Sequence, residues 1–479
     1  MNLSAKIVII GAGASGIAAA TKLLNYGFKN VTILEAQNRI GGRIHTIPFG
    51  DSFIDLGAQW CHGEENNVVY ELVRYKNLLD STGTVYHDYQ CIRSNGEVLS
   101  EEVTEKLKEI MDKAYLDKDE LLKTYNGSLG SYYKEYFIKA LREKEYSWID
   151  KKVAYEFLEV HQKYAAHYEG ALSIFDVSGK GSLDYYSCEG DPILNWKDIG
   201  YVTLLNVLMK SNGRDFGLLN KRIFLNKDVS KIQWDKKAGK PLRINCSSGI
   251  EIEADHIIST VSLGVLKNRF SSLFEPELPG NKYRSIKGLG FGTVNKVFIH
   301  FPEKWWSDDW SGFTLQWREQ DLKELRKGQF PWLEDVFGFY IVSYQPNVLS
   351  GWVVGAAASH VESLPKSEQM DGIMYLLKRF LQKPNIPQPI DFIITSWDSN
   401  PYFKGSYSHR SMDTEKLRTG ASDLAQPVLN NDGKPILLFA GEATHDHYYS
   451  TVHGAVETGW READRLYQYY CDKPMISHL

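Results

Sequence analysis

The sequence predicts an α/β fold class, with a second domain of mixed sheet and helix (α+β) beside it. Three observations lead there. The stretch "KIVII" (Lys6–Ile10) runs into Gly11-x-Gly13-x-x-Gly16 and then into helical apolar periodicity over residues 14–24. A second β-branched stretch, "NVTIL", follows and stops at Glu35. The chain of 479 residues exceeds what one hydrophobic core normally supports.

Each element of the opening has a physical reason. Gly11 permits a tight turn, Gly13 lets backbone approach a pyrophosphate, and Gly16 lets the helix pack closely on the strand. The helix N-terminus, with free N–H groups at Ala14 and Ser15, favours an anion. Glu35 stands 19 residues after Gly16 and is placed to accept from ribose hydroxyls. The pattern is that of a Rossmann-like dinucleotide site. "RIGGR" (39–43) offers further phosphate contacts through Arg43, which favours a long, resident dinucleotide such as FAD modestly over nicotinamide.

Composition narrows the function. A net charge of −5 disfavours nucleic-acid binding, which needs a basic face, and slightly favours a cationic ligand. Five scattered cysteines show neither metal spacing nor a disulfide framework, so a reducing interior and no metal are expected. His445-x-His447 lacks the partner ligands of a metal site. No secretory segment and no apolar run of about 18 residues is present, so a soluble chain with no membrane partner is expected, as a monomer.

"GTVNKVFIHF" (292–301) reads as a strand whose period of two puts Val294, Lys296, Phe298 and His300 on one face. A lysine there suits either a guarded sheet edge or a buried lysine with a chemical task. "EEVTEKLKEIMDKAYLDKDELLKTY" (101–125) reads as a helix with Val103, Leu107, Ile110 and Ala114 on one face.

"GAGASGIAAATKLL…VTILEAQNRIGGRIHT" resembles the start of the flavin-dependent amine oxidases, the family of polyamine and monoamine oxidases. "LLFAGEATHDHYYSTVHGAVETGWREADRL" (437–466) resembles the family's C-terminal flavin segment, "FIDLGAQWCHGEENN" its Gly-Ala-x-Trp segment, and "DHIISTVSLGVLK" its Thr-Val-Pro-Leu-Gly-Val-Leu, with Ser262 in place of proline. The resemblance implies FAD as cofactor. It implies cofactor contacts at Gly11, Gly13, Ala14, Ser15, Gly16, Glu35, Ala36 and Arg43, and beneath the flavin at Gly57, Ala58, Gln59 and Trp60. It adds Val229, Trp397, Gly441, Glu442, Thr451 and Val452.

The resemblance further implies a polyamine oxidase. Such an enzyme moves a hydride from the carbon beside a secondary amine of spermine, spermidine or their acetylated forms to flavin, and dioxygen becomes hydrogen peroxide. Lys296 falls in the family's Gly-Thr-x-x-Lys segment, where the lysine holds a water near flavin N5; with His62, two residues after Trp60, it is the catalytic candidate. Substrate would meet His62, Glu189, and a half-cage of Tyr407 and Thr451 where monoamine oxidases carry two tyrosines. An L-amino acid oxidase, which needs an arginine for the substrate carboxylate, and an FAD-binding scaffold are the alternatives.

A discontinuous FAD-binding domain is expected over 1–75, 205–290 and 415–479, with the substrate domain over 76–204 and 291–414. Ser477-His478-Leu479 resembles a peroxisomal address read by an import receptor, which points to the peroxisome; the cytoplasm is the alternative.

Overall fold

The computed structural model describes residues 3–81, 89–237, 239–308 and 310–471. Ser477-His478-Leu479, the expected address, lies outside the described residues.

Two six-stranded sheets organise the chain. In the first, Lys6–Ile10 lies between His256–Ser259 and Asn30–Leu34, parallel to both. Pro435–Phe439 and Ile223–Phe224 continue the parallel array on the two sides, and Val428–Leu429 closes one edge antiparallel. Strands buried on both faces read as unbroken apolar runs, as in "IVII" and "PILLF". Residues from three distant parts of the chain therefore build one sheet.

The first and last helices seal that sheet together. Ala14–Asn25 buries a face of small residues, and Val452–Cys471 lies against it. A Cβ on Gly459 would stand 2.2 Å from the Ser15 carbonyl oxygen, so only glycine permits this approach. Lys22 and the Tyr26 hydroxyl both reach Asp464, at 2.7 and 2.5 Å.

The second sheet runs in the order Asp391–Ile394, Asn295–His300, Gln345–Val353, Val336–Val342, Gly312–Gln316, Gln90–Arg93. It is antiparallel except for its last pair. Asn295–His300 thus has a hydrogen-bonded neighbour on each side, and Lys296 stands in an interior strand. The guarded-edge reading is thereby excluded. The alternation holds: Val297 and Ile299 enter the main core of this sheet, while Phe298 packs on the opposite face with Phe49.

Glu101–Leu121, Leu129–Ala140 and Lys151–Glu169 form a helical layer with its own apolar cluster. The first of these is four residues shorter than the expected 101–125, and Val103 is only partly buried. Asp150 caps Lys151–Glu169 by accepting from Lys152 and Val153 N–H, and Gly170 ends it in the left-handed region at φ 65°. The expected domain limits at 204 and 414 fall inside helices Val202–Met209 and Met412–Leu417. Leu204 and Leu205 sit in the core of the parallel sheet rather than apart from it.

Candidate active site

One cavity of about 550 Å3 runs from the glycine loop, past the 57–60 segment, to Lys296 and Tyr407. Its size is that of a ligand site, and it lies where the two sheets approach each other.

At the dinucleotide end, the three glycines separate by role. Gly11 has φ +106°, and a Cβ there would stand 2.4 Å from Thr260 Oγ1. A Cβ on Gly16 would stand 2.0 Å from the Gly11 carbonyl oxygen, and Gly16 does not line the cavity; it serves helix–strand packing. Gly13 differs: its Cβ would meet only the Gly41 carbonyl oxygen, at 3.9 Å. The protein leaves that space open, as a pyrophosphate at the start of Ala14–Asn25 requires. Gly441, at φ +119°, likewise faces open space.

Glu35 is buried, and its two oxygens accept the N–H groups of Ala12 at 2.7 Å and Gln37 at 2.8 Å. Burial pulls its pKa up, while these two N–H groups and Arg39 pull it down. Each oxygen keeps acceptor capacity for a ribose hydroxyl. Val229 lines the cavity, with its carbonyl taken by Arg269 at 3.3 Å. Arg43 donates to the Ser406 carbonyl and to Glu442 Oε1, both at 2.8 Å. Glu442 Oε2 accepts from the Ser408 hydroxyl and from Ser450 N–H. Burial works against the Glu442 charge, but Arg43 and these donors outweigh it and hold the carboxyl below its usual range. Arg43 and Glu442 thus act as a strut joining three chain segments at the cavity wall.

At the other end, Lys296 is buried and its Nζ donates to the Asp55 carbonyl (3.0 Å), the Gly57 carbonyl (2.8 Å) and Gln59 Oε1 (2.7 Å). Three acceptors use all three ammonium hydrogens. Burial lowers the Lys296 pKa, and the nearby Asp55 carboxylate opposes that. Asp55 itself is pushed up by burial, against a hydroxyl donated by Thr46 and the Lys296 charge. The lysine therefore fixes the loop carrying Gly57, Ala58, Gln59 and Trp60, and holding a water would require it to release one of these acceptors.

His62 lines the cavity and donates from Nδ1 to the Pro192 carbonyl at 2.7 Å. That bond fixes the tautomer and leaves Nε2 as an acceptor in the neutral ring. The ring is exposed to the open cavity, yet the protein surrounding it disfavours the charged form and lowers its pKa, while the Pro192 carbonyl raises it and Lys296 lowers it further.

The half-cage is held by backbone contacts. The Tyr407 hydroxyl donates to the His167 carbonyl at 2.5 Å, so the ring, not the hydroxyl, faces a ligand. Thr451 Oγ1 accepts from Gly454 N–H at 3.0 Å and caps Val452–Cys471. Trp397 is buried, its edge 3.3 Å from where a Gly57 Cβ would be. Its N–H, with those of Asp398 and Ser399, is accepted by Glu362, which also binds Asn295 Nδ2. Ser262, where the family carries proline, ties its turn by donating to the Phe403 carbonyl.

Of the expected site residues, Gly16 and Glu189 alone stand outside the cavity lining. Glu189 is exposed, and its carbonyl accepts the N–H groups of Glu64 and Glu65. The cavity instead meets Glu169, at the end of Lys151–Glu169, which no sequence pattern singled out. Trp352, directly across the strand pair from Lys296, Phe337 and His167 form an aromatic wall that was also missed. Period-two alternation on Gln345–Val353 together with the strand register would have found Trp352. His445 and His447 do not converge: the first pairs with Glu457 and the second with the Asp184 carbonyl.

Among the described residues, no helix is long and apolar enough to cross a membrane. Residues 14–467 match the family described as flavin containing amine oxidoreductase. The chain is 30% identical to the peroxisomal N(1)-acetyl-spermine/spermidine oxidase of Bos taurus, covering 96% of this chain and 94% of that protein. It is 28% identical to the protein of that name in Homo sapiens, with the same two coverages, 96% and 94%. It is also 29% identical to the lysine-specific histone demethylase 1 homolog 3 of Arabidopsis thaliana, covering 96% of this chain but 30% of that longer protein. The open space at Gly13, the acceptor at Glu35 and the length of the cavity fit the dinucleotide that such proteins carry. This chain belongs to the flavin-containing amine oxidoreductases, and its cofactor is FAD.

Proposed function

We propose that the chain is a polyamine oxidase that uses FAD and dioxygen. The supporting observation is that one cavity joins the glycine loop to His62, Lys296, Trp397, Tyr407 and Thr451. The two peroxisomal relatives are named for acetylated spermine and spermidine, which favours the same substrate class here.

The chemistry that FAD supplies when bound is acceptance of two electrons from the carbon beside an amine nitrogen, with dioxygen as the final acceptor. The protein must present that amine unprotonated, although its ordinary pKa is about 10.4. Two features of the chain lower it: the enclosed cavity and the nearby Lys296 charge. His62 Nε2 accepts from the amine N–H and orients the adjacent carbon. The wall of Trp352, Phe337 and Tyr407 keeps the site dry until the imine product is hydrolysed to an aldehyde and a shorter amine.

An L-amino acid oxidase is disfavoured by the cavity's two arginines. Arg43 is already ion-paired with Glu442 and Arg269 with Asp228, so a substrate carboxylate would have to compete with a protein carboxylate at either one.

His62→Ala is expected to raise KM roughly tenfold, the loss of one hydrogen bond to a charged or polarised partner. In the wild type, kcat/KM falls on the acid side as His62 takes a proton and loses its acceptor, at a pH below the usual histidine value of about 6.5. That limb should disappear in the variant. Unchanged KM and pH profile would remove His62 from the site.

A division into a discontinuous FAD part and a substrate part is proposed on the two separate sheets and their separate cores, with Leu194, Trp196, Tyr201 and Leu204 going with the FAD part whose core they share. Peroxisomal placement is proposed on the two relatives' names. Peroxide release from spermine, spermidine, their acetylated forms and an amino-acid panel, with identification of the aldehyde, tests the function. Peroxide from polyamines is expected; peroxide from amino acids alone would overturn the reading.

A further inference from the structure

Glu362 stands outside the cavity, yet its carboxylate is directed at two segments that carry cavity residues. Its Oε1 accepts from Trp397 N–H (2.9 Å), Asp398 N–H (3.0 Å) and Asn295 Nδ2 (2.8 Å). Its Oε2 accepts from Ser399 N–H at 2.6 Å. Successive backbone N–H groups converging on one point make an anion nest, and here the protein supplies the anion itself. An ionised carboxylate only accepts, so four donors can converge on it; a glutamine of the same shape would bring a donor of its own.

From Glu362 the contacts close into a ring. Asn295 is fully buried; its Nδ2 also donates to the Ala358 carbonyl at 2.7 Å, and its Oδ1 accepts from the Thr395 hydroxyl at 3.2 Å. The same hydroxyl oxygen accepts the Lys296 backbone N–H at 2.8 Å. On the cavity side, Lys296 Nζ donates to the Gly57 carbonyl at 2.8 Å. The Trp397 ring edge stands 3.3 Å from where a Gly57 Cβ would be. Glu362 therefore holds the loop that aims Trp397 and, through Asn295 and Thr395, the strand that aims Lys296. The two side chains meet again at Gly57.

We infer that Glu362 is a positioning residue for the reaction: it fixes Trp397 and Lys296 relative to each other across Gly57, and with them the cavity wall against which FAD and amine must meet. This inference rests on the proposed function. A misplacement of about 1 Å arising away from the reacting atoms is enough to cost a large factor in rate. Because Glu362 does not line the cavity, its substitution lowers the rate of the chemical step and leaves substrate affinity in place.

The test uses FAD-loaded wild type, Glu362→Gln and Glu362→Asp, with bound FAD measured by absorbance. In Glu362→Gln, amide hydrogen exchange at Trp397, Asp398 and Ser399 is expected to speed up at least roughly tenfold, the scale of one lost hydrogen bond to a charged group. The limiting rate of flavin reduction by spermine without oxygen is expected to fall at least roughly tenfold, with the half-saturating spermine concentration unchanged. Glu362→Asp is expected to restore part of both. Thr395→Val breaks the same ring on the Lys296 side and is expected to slow reduction by itself, which keeps the test readable should Glu362→Gln fail to load FAD. In the double variant the two losses are expected to combine to less than their sum, as for groups that act as one unit. Fast exchange at 397–399 with an unchanged reduction rate overturns the inference, as does a slowed rate with those amides still protected. A rate lost only in proportion to bound FAD overturns it too. Failure of the proposed function has a different signature: spermine reduces neither wild type nor variants, while exchange at 397–399 still depends on Glu362, which supports the positioning of Trp397 and removes the polyamine reading.

Discussion

Lys296→Met is expected to retain FAD and to slow turnover at least roughly tenfold, about 1.4 kcal/mol on the barrier. The variant removes the Lys296 charge, which opposes protonation of the amine in the proposed mechanism, so more bound substrate stays protonated and unreactive. It also strands the Asp55 and Gly57 carbonyls and Gln59 Oε1, which now accept from Nζ. A buried acceptor without a partner costs about 1–3 kcal/mol, so the 57–60 segment should loosen and the thermal midpoint fall. Rapid-reaction kinetics separates the two effects. Loss of amine activation slows flavin reduction and moves its pH dependence upward, toward the pH where the free amine forms. Loosening of the loop shifts the flavin spectrum without substrate. Wild-type rates in the variant would return Lys296 to a purely structural role.

Gly13→Ala and Gly16→Ala are expected to fail in different ways although they are three residues apart. At Gly16 the new methyl would sit 2.0 Å from the Gly11 carbonyl oxygen and 3.3 Å from Ile9 Cγ2, so helix and strand must separate. Backbone displacement of this kind costs about 1–3 kcal/mol or more, and the apoprotein should lose stability along with FAD. At Gly13 the methyl meets nothing closer than 3.9 Å and the backbone is extended, so the apoprotein should melt as the wild type does. Its methyl occupies the space left for the pyrophosphate, and FAD affinity should fall at least roughly tenfold. Thermal melts with and without added FAD check both. Equal destabilisation of the two apoproteins would contradict this division of roles.

What was legible in the sequence follows the range of the forces involved. The glycine loop, Glu35 and the terminal helix are local patterns, because turns, caps and apolar periodicity are decided within a few residues. The alternation around Lys296 was legible too, but not whether its strand lies inside the sheet, since that depends on pairing with Gln345–Val353 and Asp391–Ile394, about fifty and a hundred residues away. Glu189 was read from the chain and Glu169 was not noticed, for the same reason. Both lie in a stretch where the resemblance is thin, and only the fold turns the end of Lys151–Glu169 toward the cavity and leaves the chain at Glu189 exposed. Glu362 was invisible because its work is done through three backbone N–H groups at 397–399, which no side-chain pattern records.

The central claim, that this cavity brings an amine to FAD beside Lys296, is tested most directly by mixing the FAD-loaded protein with spermine in the absence of oxygen. The account predicts bleaching of the oxidised flavin absorbance, and one peroxide per flavin when oxygen is admitted. An oxidised spectrum that spermine, spermidine and their acetylated forms all leave unreduced would contradict it.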